Sequence, residues 1–264
     1  MINAKDIGNA LHAIGVENGD ICLFHSSFKS LGPVDGGAEA VIKGFEDAIG
    51  EEGTLVAPTL CSKDFFNSYQ TWHLDKPSDV GYLTEYFRKQ PNVLRSDQAT
   101  HSVAARGPLA HELTYEHTAH GPHLCPFGTF AFSDSSPWMK LYQRNAKIVF
   151  VGVTMKYNTM KHLVEATVTE RLLAAIKEDQ KRAEQQAKLQ TFENRWDGVW
   201  LYYNGEKMQA YLESLGLVRK TVCGNTTLLC VDAKASSDAA MEALLAHPEQ
   251  WYQDERLQWI NDCK

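Results

Sequence analysis

Two short segments of the chain hold side chains that could do chemistry, and the first is the turn at residues 25–32, His-Ser-Ser-Phe-Lys-Ser-Leu-Gly. It supplies three hydroxyls, the Lys29 ammonium and backbone N–H groups directly after the apolar run 21–24. Charge-assisted donors of this kind bind anions, phosphate above all. The residue order is not that of the phosphate-binding P-loop. An ordinary capped turn is the alternative.

The second segment, residues 158–165, places a histidine and a glutamate three positions apart. If Asn158 or Thr159 caps a helix, His162 lies in its first turn and Glu165 shares its face. The positive helix end disfavours the imidazolium, and the carboxylate favours and orients it. Such a histidine is suited to act as a general base. The alternative is a helix-capping histidine with an exposed glutamate.

The polar run at residues 95–107 is a weaker candidate. It could present the Ser102 hydroxyl and a backbone amide to a ligand, or it could be a capped loop.

A metal site is the fourth candidate, because His117, His120, His123 and Cys125 fall within nine positions. Histidine and cysteine at such spacing can hold zinc, which would make a metal-dependent hydrolase the alternative function. The spacing does not close a four-ligand motif, and a Gly-Pro pair at 121–122 interrupts any helix there. The pattern favours a loop with surface histidines.

Several function classes are disfavoured by what the chain lacks. There is no G-x-S-x-G nucleophile elbow and no glycine-rich dinucleotide loop after the first apolar run, so neither a serine hydrolase nor NAD chemistry is indicated. The 264 residues carry a formal net charge of −7, which argues against a binder of nucleic acid or of anionic membranes. No apolar run could span a bilayer, and the first residues do not predict a secretory signal. The six cysteines form no C-x-x-C pair, which favours reduced thiols and a cytoplasmic location.

The elements that must position these groups follow from the apolar pattern. Strands are predicted at 21–27, 53–58, 147–153, 199–204 and 226–233, and helices at 3–16, 38–49, 80–90, 206–215, 236–246 and from 158 past Ala175. A polar and aromatic loop covers 61–78, and the tail after Pro248 is expected to dock on the body. Strands alternating with helices predict an α/β fold, with a central, mostly parallel or mixed sheet flanked by helices on both faces. Ligands bind beyond the carboxyl ends of such strands, which is where both segments lie.

Six stretches occur in the order typical of the antibiotic N-acetyltransferase family, whose type members are the aminoglycoside 3-N-acetyltransferases, and the chain resembles this family from about residue 20 to 245. The stretches are HSSFKSLG (25–32), GTLVAPT (53–59), RSDQATHSVAARG (95–107), PFGTFAFSDSSPWMKLY (126–142), KIVFVGV (147–153) and NTMKHLVEA (158–166). GNTTLLCVDA (224–233) is similar to the family's closing strand.

The resemblance implies an α/β fold distinct from the GNAT acetyltransferase fold, with acetyl-CoA as the donor and an amine on a polar, sugar-like molecule as the acceptor. It assigns residues to three places. The family's loop that holds the CoA pyrophosphate and pantetheine matches Ser26, Ser27, Lys29 and Ser30. The residues that line the thioester end match Ser102 and Val103. The catalytic histidine matches His162, and the acidic residue near it matches Glu165. A non-catalytic relative that binds CoA is a further alternative. The whole chain, 1–264, is then one domain with a polar helical insertion near 177–196, and a homodimer is left open.

The resemblance also has departures, which lie where they would shape the acceptor pocket. They are Gln98-Ala99 in place of a His-Pro pair, the segment after Glu165, and the longer stretch between Ser133 and Ser136. Side chains of the 61–78 loop could receive a cationic polyol or simply cover the core: Asp64, Phe65, Tyr69, Trp72, His73 and Asp75.

Overall fold

A seven-stranded mixed sheet organises the part of the chain that this computed structural model describes, which is residues 1–61, 67–119, 124–128, 130–189 and 199–264. The strands are β1 (Ile21–Ser26), β2 (Thr54–Pro58), β3 (Leu94–Arg95), β4 (Val103–Arg106), β5 (Lys147–Val151), β6 (Arg219–Cys223) and β7 (Thr226–Asp232). Their order in the sheet is β3-β4-β2-β1-β5-β7-β6. The central strand β1 pairs in parallel with β2 and β5, and the outer pairings are antiparallel. The prediction of a mixed sheet is confirmed, and its parallel part is the three-stranded centre.

Helices cover both faces of this sheet, as predicted. Three helices pack on one face: α1 (Ala4–Ala13), α2 (Gly37–Ile49) and α4 (Tyr82–Arg88). The core on the other face is formed with α5 (Ala110–Thr114), α6 (Pro137–Gln143), α7 (Met160–Ala175), α9 (Gly205–Ser214), α10 (Ala233–Ala246) and α12 (Asp254–Cys263). The remaining described helices are α3 (Ser68–Thr71), α8 (Asp179–Lys188) and α11 (Pro248–Trp251). No helix in the described ranges is long and apolar enough to cross a membrane.

The side chains of β1 alternate between the two cores, because successive residues of a strand point to opposite faces. Cys22 and Phe24 belong to the core with α1 and α2, whereas Leu23 belongs to the core with α7. His25 continues on the α7 side, where its ring stacks on Phe150 of the neighbouring strand β5. The end of β1 therefore places His25 on the side of the sheet where α7 begins.

The strand predicted at 199–204 is wrong, since the structure has no strand there. The apolar residues that suggested it are nevertheless buried, in irregular chain that packs under α7: Trp200, Leu201 and Tyr203. An apolar segment predicts that its residues are buried, but it does not by itself distinguish a strand from buried irregular chain.

The end of the helix predicted from residue 158 also differs from the prediction. The helix that begins near residue 158 ends at Ala175, and α8 follows it as a separate element within the predicted insertion. Residues 190–198 of that insertion lie outside the described residues. The docking of the tail is confirmed, because Trp259 is buried and its indole N–H donates to the Gln185 carbonyl at 3.0 Å.

Candidate active site

The start of α7 places a histidine at the carboxyl end of the central strands. After β5, a short 3₁₀ turn at Met155–Tyr157 leads to Asn158, whose side-chain oxygen accepts from the Met160 N–H at 3.1 Å. This hydrogen bond satisfies one of the free N–H groups at the helix end. His162 lies in the first turn of α7, as the sequence predicts.

His162 and Glu165 form a hydrogen-bonded pair. The distance from His162 Nδ1 to Glu165 Oε2 is 2.7 Å. The glutamate is completely buried, so the alternative of an exposed glutamate is wrong. Its second oxygen accepts from the Tyr203 N–H at 3.2 Å and lies 3.6 Å from Lys161 Nζ. Since the carboxylate accepts, His162 carries its proton on Nδ1, and Nε2 is left with a lone pair that can take a proton.

An aromatic shell surrounds the His162 ring. The ring centroids of Phe127, Phe132 and Tyr202 lie 4.5, 5.7 and 6.1 Å from the His162 centroid. The His101 ring lies edge-on at 5.7 Å. This shell limits water around the pair, and a lower local dielectric strengthens the bond between His162 and Glu165.

A cavity of about 810 Å³ joins the turn after β1 to the start of α7. Its walls come from the ends of β1 and β2, the start of α4 and the segment between β5 and α7, and they include Ser27, Lys29, Lys156 and His162. Among the described residues that line it, lysine and histidine occur, and no Asp or Glu does. A cavity with ammonium and hydroxyl groups and no carboxylate favours an anionic ligand.

Three of the four residues expected to bind the pyrophosphate end line this cavity: Ser26, Ser27 and Lys29. Ser30 is not among the lining residues, because its hydroxyl donates to the Ser27 carbonyl at 2.7 Å. Gly152, which has a φ of +63°, lies so close to Ser30 that any side chain there would collide with its hydroxyl. Ser30 therefore holds the turn after β1 against the turn after β5.

Ser102 and Val103 are not among the residues that line this cavity. Both are fully buried at the start of β4, where Val103 pairs with Pro58 of β2. The Ser102 hydroxyl donates to the Thr59 carbonyl at 3.0 Å and accepts from Arg95 Nε at 3.2 Å. The pairing of β4 with β2 is antiparallel, and the sequence does not reveal it. Their place at the thioester end of the donor stays a prediction.

His25 is the first residue of the turn predicted at 25–32, and the sequence analysis assigns it no role. It lines the cavity with Ser26, and burial lowers the pKa of His25 to about 3. Its position in that turn, at the end of a buried strand, is the signal that could have identified it.

The zinc hypothesis fails at His117 in the described structure. This residue is buried, its Nδ1 lies 2.9 Å from the Ser96 hydroxyl, and its Nε2 lies 3.0 Å from the Ala131 carbonyl. Both ring nitrogens are therefore occupied. Cys125 is also buried, and burial raises the pKa of its thiol well above the ordinary value. His120 and His123 lie outside the described residues, among which no cluster of three metal-ligating side chains occurs.

In its described part, the 61–78 loop contributes no residue to the cavity that His162 lines. Trp72, His73 and Asp75 line a second cavity, of about 880 Å³, and none of them lines the cavity that holds His162. The Arg95 guanidinium lies 4.7 Å from the Trp72 ring and donates to the Thr59 carbonyl at 2.7 Å, which fastens the loop to the sheet. The Tyr69 hydroxyl donates to the Phe127 carbonyl at 2.7 Å. Asp64 and Phe65 lie outside the described residues.

Fold and site together define an α/β protein with a histidine–carboxylate pair on a cationic cavity at the carboxyl ends of its central strands. The family model of the aminoglycoside 3-N-acetyltransferases, a group of antibiotic N-acetyltransferases, matches residues 23–245. The chain belongs to this family.

Two curated relatives show how far the sequence similarity extends. The chain is 28% identical over 183 residues to aminoglycoside N(3)-acetyltransferase III of Salmonella sp, with 63% of this chain and 61% of that protein covered. It is 29% identical over 182 residues to the SPbeta prophage-derived aminoglycoside N(3')-acetyltransferase-like protein YokD of Bacillus subtilis (strain 168), with 61% and 64% covered. The matched region spans less than two thirds of each relative.

Solved structures share the fold over nearly the whole chain. AAC-IIIb in a binary complex with CoASH matches with a TM-score of 0.72 at 18% identity, covering 94% of this chain and 97% of that one. The YokD protein from Bacillus subtilis matches with a TM-score of 0.71 at 20% identity, covering 94% and 95%. A variant of aminoglycoside acetyltransferase AAC(3)-IVa in complex with apramycin matches with a TM-score of 0.68 at 20% identity, covering 94% and 93%. The predicted fold class is confirmed.

Proposed function

We propose that the protein is an N-acetyltransferase that moves the acetyl group of acetyl-CoA to an amine on an aminoglycoside or another polar amino sugar. One observation carries the proposal: a single cavity contains both the Ser26–Lys29 turn and His162, the two segments that the proposed chemistry needs side by side. The volume of about 810 Å³ is within the range of sites for small molecules. Family membership and a relative that binds CoASH support the same donor.

The charged groups of the cavity suit the phosphates of CoA. Lys29 and Lys156 are exposed at its mouth, and the hydroxyl of Ser27 lies beside them on the lining. Ammonium groups and hydroxyls bind phosphate oxygens through charge-assisted hydrogen bonds. In this proposal the pyrophosphate binds at the Ser26–Lys29 turn, and the pantetheine chain runs inward toward His162.

The proposed chemistry is direct transfer in a ternary complex. The amine nitrogen attacks the thioester carbonyl carbon, so that the N–C bond forms and the C–S bond breaks. His162 Nε2 takes the proton from the amine and passes it to the departing thiolate, which leaves as free CoA. The buried Glu165 carboxylate holds the ring through Nδ1 and stabilises the imidazolium that forms during the reaction. An amine is nucleophilic enough to attack a thioester without an acyl-enzyme, and proximity supplies much of the acceleration.

The acceptor side is the aromatic shell of His162. Tyr202, which is half-buried, lies beside the proposed base, and sugar rings present C–H faces that pack on aromatic rings. Apramycin and sisomicin are bound by structural relatives, and both carry several amines. An aminoglycoside or amino sugar is therefore the proposed acceptor class. Because acetyl-CoA is made and used in the cytoplasm, we propose that compartment; the homodimer stays a prediction.

The test is an assay of thiol release from acetyl-CoA with a panel of amines that includes aminoglycosides and nucleotide-linked amino sugars. The expected result is stoichiometric free CoA and N-acetylated product with at least one panel member. Binding of CoA without thiol release across the panel would instead favour the non-catalytic relative. Turnover that depends on zinc and is lost with a chelator would favour the hydrolase.

A further inference from the structure

Lys161 carries an ammonium group at a place that a helix disfavours. It lies in the first turn of α7, next to the proposed base His162. The positive end of a helix repels cations, so other contacts must hold a lysine there. Its side chain is only 16% exposed, and withdrawing a charge from water adds a further cost. The structure shows the two contacts that compensate, one with Glu165 and one with Tyr203.

Both contacts belong to the same group of atoms that holds His162. Lys161 Nζ lies 3.6 Å from Glu165 Oε1 and donates to the Tyr203 carbonyl at 3.0 Å. The same glutamate oxygen accepts from the Tyr203 N–H at 3.2 Å. The other oxygen lies 2.7 Å from His162 Nδ1. One carboxylate therefore connects the ammonium of Lys161 to the imidazole of His162.

The Glu165 carboxylate is fully buried, and a buried charge is stable only beside an opposite charge. The other titratable groups around it are uncharged at neutral pH, because burial lowers the pKa of His101 and raises that of the Cys125 thiol well above its ordinary value. Burial also raises the pKa of three nearby tyrosine hydroxyls: Tyr202, Tyr203 and Tyr252. Among the residues that the structure describes, Lys161 is therefore the cation in contact with this carboxylate while His162 is neutral.

We propose that Lys161 is a positioning residue for the reaction: its ammonium balances the buried Glu165 carboxylate, so that His162 is neutral and able to accept a proton in the resting enzyme. The proposal rests on the proposed function, in which His162 is the base. Without the ammonium, the buried carboxylate draws a proton onto the neighbouring ring, since an imidazole binds protons more tightly than a carboxylate does. A ring that is already an imidazolium cannot take the proton of the amine.

The protonation of His162 is the direct readout, and it does not require turnover. Nuclear magnetic resonance of protein labelled with nitrogen-15 in its histidine rings distinguishes the neutral Nδ1–H form from the imidazolium, and the His162 signals are assigned by their loss in His162→Ala. At pH 7 we expect the neutral form in the wild type and a much larger fraction of imidazolium in Lys161→Met. Lys161→Arg restores the charge and is expected to return the signals toward those of the wild type.

The pH profile of kcat is the second readout. With acetyl-CoA and an accepted amine, Lys161→Met is expected to lower kcat at pH 7 by about tenfold, because most of the base is then protonated. The value of kcat should recover toward that of the wild type as the pH rises and the ring becomes neutral again. A purely structural loss would lower kcat by the same factor at every pH.

Arg256→Met is the matched control for the packing of the segment at 199–204. Arg256 donates to the Tyr202 carbonyl at 3.0 Å, one residue before the carbonyl that Lys161 holds, and its charged partner is Asp254. Its loss should leave the protonation of His162 and the shape of the pH profile unchanged. If the circular dichroism spectrum shows that Lys161→Met does not fold, Lys161→Gln replaces it, because glutamine has a donor for the Tyr203 carbonyl and lacks the charge.

A double variant tests whether Lys161 acts through Glu165. In the Glu165→Gln background the charge to be balanced is absent, so adding Lys161→Met should have no further effect on the His162 signals or on kcat. Three results would overturn the proposal: wild-type signals and profile in Lys161→Met, the same changes in Arg256→Met, or an undiminished effect in the double variant. If the wild type acetylates no amine of the panel, the proposed function fails, and the nitrogen-15 signals still test the charge balance.

Discussion

His162 is the residue whose loss the proposed chemistry tolerates least. His162→Ala removes the base that takes the proton of the attacking amine, and kcat is expected to fall by about 100-fold or more. The side chain is partly exposed to the cavity, 18%, so the substitution leaves the core intact. Steady-state kcat at saturating acetyl-CoA and amine is the measurement, with the circular dichroism spectrum as the control for folding. A kcat within a fewfold of the wild type would remove His162 from the role of base.

In the proposed mechanism Glu165 acts through His162 and touches no substrate, which makes it a positioning residue. Glu165→Gln keeps the shape of the side chain and its bond from the Tyr203 N–H, and it weakens the acceptor that fixes the His162 proton on Nδ1. We expect kcat to fall by about 10²-fold or more while KM for acetyl-CoA changes little.

The pH profile of kcat distinguishes this role of Glu165 from a purely structural one. Loss of the carboxylate removes the group that orients the imidazole and favours the imidazolium, so the dependence of kcat on pH is expected to differ between Glu165→Gln and the wild type. Unchanged kcat and an unchanged profile would show that the 2.7 Å contact does not serve catalysis.

Whether the contacts of a single residue can be predicted from the sequence depends on how far apart in the chain the contacting residues lie. The pairing of His162 with Glu165 follows from helical spacing, which is local and can be read from the chain. The burial of Ser102 depends on β4 pairing with β2, some 45 positions earlier in the chain, as the register of Pro58 and Val103 shows. The burial of His25 against Phe150 depends on the pairing of β1 with β5, and only the three-dimensional structure shows that pairing.

The turn after β1 is the element expected to bind the donor phosphates. Lys29→Ala removes an exposed ammonium, and we expect a raised KM for acetyl-CoA with little change in kcat, because binding is lost equally from the ground and transition states. The effect should shrink as ionic strength rises, since salt screens exposed charges.

Lys43→Ala is the matched control for Lys29→Ala. Lys43 is also exposed, lies on α2 and is paired with Asp47 at 2.7 Å, away from the cavity lining. Its KM for acetyl-CoA should equal that of the wild type. A change in kcat alone in Lys29→Ala would contradict the assignment of the turn.

Elements with continuous apolar runs could be predicted, and edge elements could not. The central strands β1, β2 and β5 are buried on both faces and show unbroken apolar sequence, which predicts them directly. The edge strand β6, Arg-Lys-Thr-Val-Cys, is mostly polar and was not predicted. Residues 199–204 have the opposite property, because they are apolar without forming a strand.

At the scale of the whole molecule, the charge of the cavity opposes the charge of the protein. The chain has a formal net charge of −7, whereas the described residues that line the cavity include lysines and histidines and no Asp or Glu. A local positive region on an acidic protein raises the concentration of anionic ligands at one place and keeps them from the rest of the surface. Net charge argues against nucleic acid as a partner, and it does not reveal this local reversal of charge, which arises because the fold brings distant residues together.

Three buried histidines make the stability of the whole fold depend on pH. Burial lowers the pKa of His25 to about 3, that of His117 to about 4, and that of His101 well below its ordinary value. In the unfolded chain each takes up a proton near pH 6.5, so lowering the pH through that value favours the unfolded state. The stabilisation is complete above about pH 6.5 and is progressively lost as the pH falls toward 3 to 4.

The melting temperature is therefore expected to be several degrees lower at pH 5 than at pH 7.5. Each histidine with so low a pKa costs roughly 1–2 kcal/mol at pH 5, where exposed carboxylates are still mostly ionised. His25→Leu removes one of the three titrations and should narrow the difference between the two pH values, whereas His247→Leu, at an exposed position, should not. Differential scanning calorimetry of the wild type and both variants at the two pH values is the measurement. A wild-type melting temperature that is the same at pH 5 and pH 7.5 would mean that burial does not hold these histidines neutral.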